Sequence, residues 1–289
     1  MKKHFVIALG LSSLLASSTA LAQEASVTDE EPSVSSFATM DRGDASTKLG
    51  LNASMTFLDS DQSTSALRFD LHGQYVHKKG FGVYGSLPIT HYSADGNPTG
   101  GGSDFSEMAL GNLEVGGIYN HKLSDKLLLT ARGGVMLPTA DDDEGVWSNL
   151  ANVLPRLTDL PSMYSDTTTL RASASLSGKE GQFFYRADAG FDIPVDTPEM
   201  TELDPLMRVN VGVGVNAGPL AIMGEFASVG TTGDVDDGVD RFLHTAAITA
   251  AFTKNKQIKP TISVIVPIND DITQMFDASV MLGLQGRLP

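Results

Sequence analysis

The chain has 289 residues, with 35 acidic and 20 basic side chains and a formal charge of −15. It contains no cysteine, which excludes a thiol nucleophile, a disulfide framework and a lipid-anchored cysteine. The negative charge would repel a polyanion, so no nucleic-acid partner is expected.

The first 22 residues have the features of a secretory signal peptide. Lys2 and Lys3 precede the apolar run Phe5 to Leu15, and Ala20-Leu21-Ala22 supplies the small residues that a signal peptidase recognises. The apolar run is too short to cross a bilayer as a helix. We therefore predict export with cleavage before Gln23, which leaves 18 basic and 35 acidic residues and a formal charge of −17.

Polar and acidic residues dominate positions 23–44, which also contain Pro32 and several serines. No periodic apolar pattern is present to order this stretch, so we predict a flexible periplasmic lead-in. The predicted packed domain accordingly covers residues 45–289.

From residue 45 onward, apolar and polar residues alternate. In residues 48–57 every odd position is apolar and every even position is polar or glycine, which is typical of a strand with one apolar and one polar face. Twelve segments follow this pattern, at residues 45–57, 66–77, 80–89, 109–120, 127–137, 167–177, 182–192, 206–216, 219–229, 242–253, 258–267 and 273–287. Most have 10 to 13 residues, enough for a tilted strand to cross a bilayer. We predict an all-β fold, a transmembrane antiparallel up-and-down β-barrel of about 12 strands.

The connections between these segments alternate in length and in charge. The short ones carry the lysines Lys78, Lys79, Lys122, Lys126, Lys179, Lys254 and Lys256, whereas the long ones carry clusters of acidic residues, such as Asp141–Glu144. Outer-membrane barrels have short periplasmic turns and longer external loops. Both ends of the barrel chain are therefore predicted to be periplasmic.

Three motifs resemble those of the outer-membrane channels linked to meta-pathway phenol degradation. They are Gly85-Ser86-Leu87-Pro88-Ile89-Thr90, Leu110-Gly111-Asn112-Leu113-Glu114-Val115-Gly116-Gly117 and Gly133-Gly134-Val135-Met136-Leu137-Pro138-Thr139. In that family the last motif ends in Pro-Thr-Gly, and Ala140 replaces the final glycine here. The resemblance covers about residues 80–140 by motif and the rest by strand layout. It implies a passive channel for small solutes, hydrophobic ones among them.

The polar faces of the predicted strands carry charges of both signs. We predict lumen-lining side chains at Lys48, Arg68, Asp70, Glu114, Arg132, Arg171, Arg186, Asp188, Arg208, Glu225, Asp277 and Arg287. Two interpretations are open. The charges line a water-filled pore and set its selectivity, or they pair across a narrow interior and hold its shape.

The longest connection, residues 138–166, contains the spaced apolar residues Trp147, Leu150, Leu154 and Leu157. Spacings of three and four predict a short amphipathic helix at residues 146–160. This loop would fold into the pore as a constriction, lie over the mouth as a lid, or cap the barrel rim.

The sequence supports no catalytic, cofactor or metal site. His72 near Asp70 and His244 near Asp240 are candidates for a hydrolase, but no nucleophile motif accompanies them. The acidic runs Asp141–Glu144 and Asp234–Gly238 could offer oxygen ligands to calcium. Neither has the spaced glutamate of the helix–loop–helix site, so solvated acidic loops are the preferred interpretation.

These observations predict a passive channel or transporter for small solutes in the outer membrane of a Gram-negative cell, rather than an enzyme. Its expected partners are outer-membrane lipids, lipopolysaccharide and the solutes themselves, and the oligomeric state stays open. The alternatives are a closed structural or adhesive barrel, an outer-membrane hydrolase and a soluble β-sandwich.

Overall fold

The computed structural model describes residues 37–42, 44–58, 64–94, 105–140, 151–197, 203–235, 239–255 and 257–288. The predicted signal peptide lies outside these residues. The strands are β1 (Lys48–Leu58), β2 (Thr64–Val76), β3 (Phe81–Ala94), β4 (Phe105–Leu110), β5 (Leu113–Ser124), β6 (Leu127–Leu137), β7 (Thr168–Glu180), β8 (Phe183–Asp196), β9 (Leu206–Ala217), β10 (Leu220–Thr231), β11 (Phe242–Phe252), β12 (Ile258–Pro267) and β13 (Phe276–Arg287). A 3₁₀ helix covers Leu157–Met163, and the short helix α1 covers Asp270–Thr273.

The strands form one closed antiparallel sheet. Pairing runs between neighbours from β5 to β13, β3 joins β2 to β5, and β1 pairs with both β2 and β13. The ring closes from Lys48 opposite Arg287 to Leu58 opposite Phe276. Closure gives the strands of the ring a hydrogen-bonding partner on both sides. The predicted fold class, an up-and-down barrel of about 12 strands, is confirmed.

The additional strand β4 does not add a position to the ring. It pairs with the C-terminal half of β3, whereas β5 pairs with the N-terminal half of β3. Gly111 and Asn112 lie between β4 and β5 and belong to neither strand. Residues 105–108 were predicted to be loop, but they form a strand because β3 extends to Ala94 and offers them a partner.

The outer and inner faces of the barrel differ in polarity. On the outer face Phe183, Val213 and Ile248 keep 67%, 64% and 67% of their surface exposed. On the inner face Asp192 and Thr249 are fully buried. A soluble β-sandwich packs its apolar side chains inward. In this barrel the apolar side chains face outward and the polar ones inward, which is the opposite arrangement. Among the described residues, no helix is long and apolar enough to cross a membrane.

The strict alternation fails at the start of β13. Phe57 pairs with Ala278 and Leu58 pairs with Phe276, so Asp277 is the extra residue of a β-bulge. Phe276 therefore faces the interior and is fully buried, while Asp277 is exposed. This differs from the prediction that Asp277 lines the lumen, because one extra residue exchanges the two faces of a strand.

Short and long connections occupy opposite ends of the barrel, as the antiparallel order requires. Gly80, Gly181 and Gly218 adopt positive φ angles in three short turns, a conformation that glycine accepts without strain. These turns share one end of the barrel, the turn end, with residues 44–48 and 287–288. The longer connections share the other end, the loop end.

Candidate functional site

Residues 37–42 and 44 lie inside the barrel ahead of β1, and we call them the plug. Gly43 is outside the described residues. Residues 37–41 are at most 6% exposed. The sequence predicted a flexible lead-in here, and the difference arises because inward side chains of the wall bind the backbone and the charges of the plug.

The carboxylate of Glu225 on β10 anchors the plug backbone. It accepts hydrogen bonds from the Ala38 N–H at 2.9 Å, the Thr39 N–H at 2.8 Å and the Thr39 hydroxyl at 2.9 Å. The hydroxyl of Thr249 also donates to it, at 2.9 Å. Buried N–H groups need acceptors. The carboxylate of Glu225 supplies them to the plug, whereas the carbonyl groups of neighbouring strands supply them within the sheet.

Phe37 and Met40 hold the plug through apolar contacts. They form a cluster with four wall residues, Phe184, Ala221, Met223 and Ala251. The ring centroids of Phe37 and Phe184 are 6.1 Å apart, within the range of a favourable aromatic pair. Gly212 on β9 provides the space, since a Cβ atom there would lie 2.5 Å from Phe37 Cε1 and 2.9 Å from Met40 Sδ.

Asp41 ties the plug to β9. Its Oδ1 atom is 2.8 Å from Nη1 of Arg208 and 3.9 Å from Nη1 of Arg132. Burial alone would raise the pKa of Asp41, but the attraction of Arg208, Arg132 and Arg171 outweighs burial and lowers that pKa below its ordinary value. Asp41 is therefore ionised at neutral pH.

The remaining charges of the plug reach the wall formed by β1 and β2. Arg42 donates to the carboxylate of Asp70 on β2. Lys48, the first residue of β1, donates from Nζ to Asp44 Oδ2 at 2.7 Å. Together with the contact between Asp41 and Arg208 on β9, these contacts stretch the plug across the interior.

Residues 151–164 enter the interior from the loop end, and we call them the inserted loop. Arg156 donates from Nη2 to the Met40 carbonyl at 3.0 Å, and the Thr158 hydroxyl donates to the Thr39 carbonyl at 2.8 Å. The inserted loop and the plug therefore contact each other inside the barrel.

Leu154 and Leu157, two of the residues predicted for the constriction or lid loop, are 2% exposed. They pack at the loop end with Leu206, Val229, Ile272 and Phe276. The other two predicted residues, Trp147 and Leu150, lie outside the described residues, as does the first part of the predicted helix. Residues 151–153 are α-helical, and the chain continues into the 3₁₀ helix rather than into one amphipathic helix.

Asp159 is the carboxylate at which the wall, the plug and the inserted loop meet. Its Oδ2 atom is 2.8 Å from Arg68 Nη2, 2.9 Å from Arg156 Nε and 3.6 Å from Arg42 Nη2. Burial would raise the pKa of Asp159, but the guanidinium groups of Arg156, Arg42 and Arg68, with Arg171 beyond them, hold that pKa well below its ordinary value.

A row of alternating charges runs along the wall from β5 to β9. Arg171 Nη1 is 2.8 Å from Glu114 Oε2, and Arg171 Nε is 2.9 Å from Asp192 Oδ1. Arg208 Nε is also 2.9 Å from Asp192, as an ion pair without hydrogen-bond geometry. Arg132 lies 3.8 Å from Glu114. Among the described residues, three wall arginines thus share two wall carboxylates, and Asp41 of the plug and Asp159 of the inserted loop supply two more.

The side chains predicted to line the lumen, with the exception of Asp277, are found inside the barrel. Arg287 is half-buried at the turn end, and the others are buried or nearly so: Lys48, Arg68, Asp70, Glu114, Arg132, Arg171, Arg186, Asp188, Arg208 and Glu225. Arg186 and Asp188 pair with each other at 2.7 Å.

Sequence reasoning missed seven interior charges among the described residues, namely Asp41, Arg42, Asp44, Arg156, Asp159, Asp192 and Lys259. Asp192 on β8 and Lys259 on β12 follow the inward period-two phase of their strands, so alternation could have identified them. The other five lie outside strands, where no period indicates which side chains turn inward.

The described residues contain no group of three His, Cys, Asp or Glu side chains arranged for a metal ion. Of the candidate calcium ligands, Asp234 is exposed, whereas residues 141–144 and 236–238 lie outside the described part of the chain. The candidate histidines His72 and His244 have no hydrogen-bond partner for Nδ1 among the described residues.

Two clefts within the described interior adjoin Asp41. The first, which we call the turn-end cleft, has a lining that includes Asp41, Arg42, Lys48, His72, Arg186 and Met281. The second is narrower, and its lining includes Asp41, Tyr84, Glu114, Arg132, Arg171 and Arg208. Asp41 therefore separates the turn-end cleft from the arginine row.

A closed barrel with an apolar outer face and a charged interior has the architecture of outer-membrane channels. No protein-family model matches the sequence, and no curated protein matches it. The fold is similar to that of an outer-membrane channel from Pseudomonas putida F1, with a TM-score of 0.63 and 11% identity over 90% of this chain and 100% of that one. It is also similar to the NanC porin (TM-score 0.52, 10% identity, 83% and 100% coverage) and to the KdgM porin (0.50, 9%, 84% and 99%). At these identities the similarity establishes the fold.

Proposed function

We propose that this protein is an outer-membrane channel for small solutes, which the plug and the inserted loop close in the conformation described. The observation that carries the proposal is that a closed ring of strands encloses two buried segments outside the strand pairing, the plug and the inserted loop. The wall behind them presents charged and polar side chains, which would hold water once these segments withdraw.

The outer face supports a position in a membrane. Its apolar side chains, such as Val211, Val213 and Ile248, are 47–67% exposed and would be unfavourable in water over so many strands. Lipid would cover them, and the closed ring would satisfy the backbone without water. The predicted signal peptide and the charged external loops agree with the outer membrane, where lipopolysaccharide would surround the loop end.

The kind of solute is indicated by likeness rather than by a bound molecule. The similar structures are described as an outer-membrane channel and as porins. The motifs around Pro88, Asn112 and Pro138 resemble those of channels linked to phenol degradation, which implies that hydrophobic solutes are among those admitted. Both likenesses favour a channel over a hydrolase.

A closed structural barrel is the second candidate, and the density of buried ion pairs favours it. If the contacts of Asp159 and Asp41 never break, the interior is a permanent core and no solute passes. The two functions differ in whether the plug can leave the wall.

Conductance in planar lipid bilayers distinguishes them. Glu225→Gln replaces one of the two carboxylate oxygens with an NH₂ donor, so one of the two buried plug N–H groups loses its acceptor, which costs about 1–3 kcal/mol and should raise the open population about tenfold. Arg156→Gln, which removes the charged donor to the Met40 carbonyl and so weakens the contact between the plug and the inserted loop, should act in the same direction. Lys126→Gln, at an exposed ion pair with Glu180, is the control and should conduct like the unmodified protein.

Heat-modifiable mobility on gels would verify that each variant is a folded barrel. Silent bilayers for the unmodified protein and for both plug variants, with that mobility intact, would establish the closed structural barrel instead.

A further inference from the structure

We infer that the wall behind the plug is a binding site for an amphipathic carboxylate, such as a medium-chain fatty acid, and that the plug occupies this site as an internal substitute. The inference rests on the proposed channel function, because a solute must enter the barrel to compete with the plug.

The arginine row binds carboxylates from outside the wall. On the wall, the three positive charges of Arg132, Arg171 and Arg208 face the two negative charges of Glu114 and Asp192. The inserted loop adds Asp159, 3.8 Å from Arg171, and the plug adds Asp41, 2.8 Å from Arg208. When the plug withdraws, a monoanionic carboxylate would take the place of Asp41, and arginine presents two parallel donors to such a group.

The plug also fills an apolar part of the wall on the same strand. Phe37 and Met40 cover Gly212, which follows Arg208 by four residues on the inner face of β9. At the rise of a strand, four residues span about 13 Å. A ligand with a carboxylate at Arg208 and an apolar chain reaching Gly212 would therefore imitate the plug from Asp41 to Phe37.

Between these two positions lies a polar side chain that has no partner. Asn210 is 1% exposed and shares the inner face with Arg208 and Gly212. Neither its Oδ1 nor its Nδ2 atom makes a hydrogen bond among the described residues. Because buried amides are normally satisfied, its free donor indicates a site built for an additional polar group, which the head of the carboxylate would supply.

The turn-end cleft offers the approach to this site. It adjoins Asp41, and Lys48 and Arg186 in its lining would attract an anion. Met281 adds apolar surface on the same side. Within the described interior, the Asp41 side chain would separate a carboxylate in this cleft from the arginine row.

Binding of decanoate to the full-length mature protein in detergent, measured by isothermal titration calorimetry, tests the inference. A tethered carboxylate competes at a high effective concentration, so Asp41→Asn should bind decanoate at least about tenfold more tightly than the unmodified protein. Acetate and 1-decanol, which each lack one half of the proposed ligand, should gain much less. Adding Arg208→Gln to Asp41→Asn should abolish the gain.

Glu225→Gln is the matched variant, because it removes the same charge and also loosens the plug but leaves Asp41 on Arg208. A gain equal to that of Asp41→Asn would overturn the inference, since plug loosening alone would then explain both results. Should Asp41→Asn fail to show the heat-modifiable mobility of a folded barrel, Asp41→Ser is the replacement, and unchanged decanoate affinity in a folded variant also overturns the site.

The assay separates this inference from the channel function. If Asp41→Asn gains decanoate affinity but no variant conducts in bilayers, the binding site is supported and the channel function is contradicted. If the protein conducts but Asp41→Asn gains no decanoate affinity, the channel function is supported and the binding site is contradicted.

Discussion

The Oδ2 atom of Asp159 lies 2.8 Å from the Nη2 atom of Arg68, so one buried ion pair joins the inserted loop to β2. Both side chains are at most 7% exposed. The same carboxylate also contacts Arg156 and Arg42, which makes Asp159 the most connected charge of the described interior.

Asp159→Asn should therefore be strongly destabilising. Removing one partner of a buried ion pair leaves uncompensated charges and costs about 3–5 kcal/mol, here on three guanidinium groups at once. Equilibrium unfolding in urea, with the protein in lipid vesicles, would measure the loss in the free energy of unfolding. Lys126→Ala at the exposed pair with Glu180 serves as the comparison and should cost less than about 1 kcal/mol. Equal effects of the two substitutions would contradict the role of Asp159.

Gly212→Leu should release the plug without opening the wall. The new side chain would take the space of the Phe37 ring, since even its Cβ atom would lie 2.5 Å from Cε1 of that ring. We expect a higher open probability in bilayers and faster proteolysis of the plug. Gly224→Ala on the outer face, where a Cβ atom would meet nothing within 4 Å, should leave both unchanged. A closed Gly212→Leu channel would show that the plug does not depend on the Phe37 contact.

Phe276→Ala tests the bulge at the start of β13. Phe276 is fully buried with Leu154, Leu157 and Ile272, so its truncation should cost about 3–5 kcal/mol. Asp277→Ala should change the free energy of unfolding by less than about 0.5 kcal/mol, as expected for an exposed position. Without the bulge, Asp277 would face the interior and Phe276 would face outward, so Asp277→Ala would be the more destabilising substitution. Unfolding curves of the two variants therefore decide between the two registers.

The fold was predictable because a barrel repeats one signal. Alternation in segments such as residues 48–57 identifies both the strands and their inward faces, and a dozen repeats make the barrel clear. The bulge at Asp277 was not predictable, since it depends on one local extra residue opposite Phe57 and Leu58. Strand β4 was missed for a related reason, as its pairing depends on how far β3 extends.

The candidate site was predictable only where it belongs to strands. Arg68, Arg171 and Arg208 follow the inward phase, whereas Asp41 and Asp159 lie in segments without a period. Their positions follow from tertiary contacts, because each carboxylate lies where several wall arginines converge. Composition alone gives no sign of that convergence.

Acid should open the barrel only below the ordinary range of aspartate titration. The pKa values of Asp41 and Asp159 are both lowered in the folded protein. Such groups contribute stability that is fully present above the unfolded pKa, about 3.9, and is lost as the pH falls through the folded pKa. Conductance should stay low between about pH 8 and pH 5 and rise only below about pH 4. Opening near pH 6 would show that other groups control the plug.

The pairing of Lys48 with Arg287 has a consequence for how the molecule is made. Every other strand pair links segments close in sequence, whereas this seam joins residues at opposite ends of the barrel chain. Contacts of such long sequence separation form slowly, because the chain entropy of a large loop must be lost first. The seam is therefore expected to form last during assembly. Since the plug directly precedes β1, it either is enclosed at that step or enters afterwards through an open end of the finished cylinder.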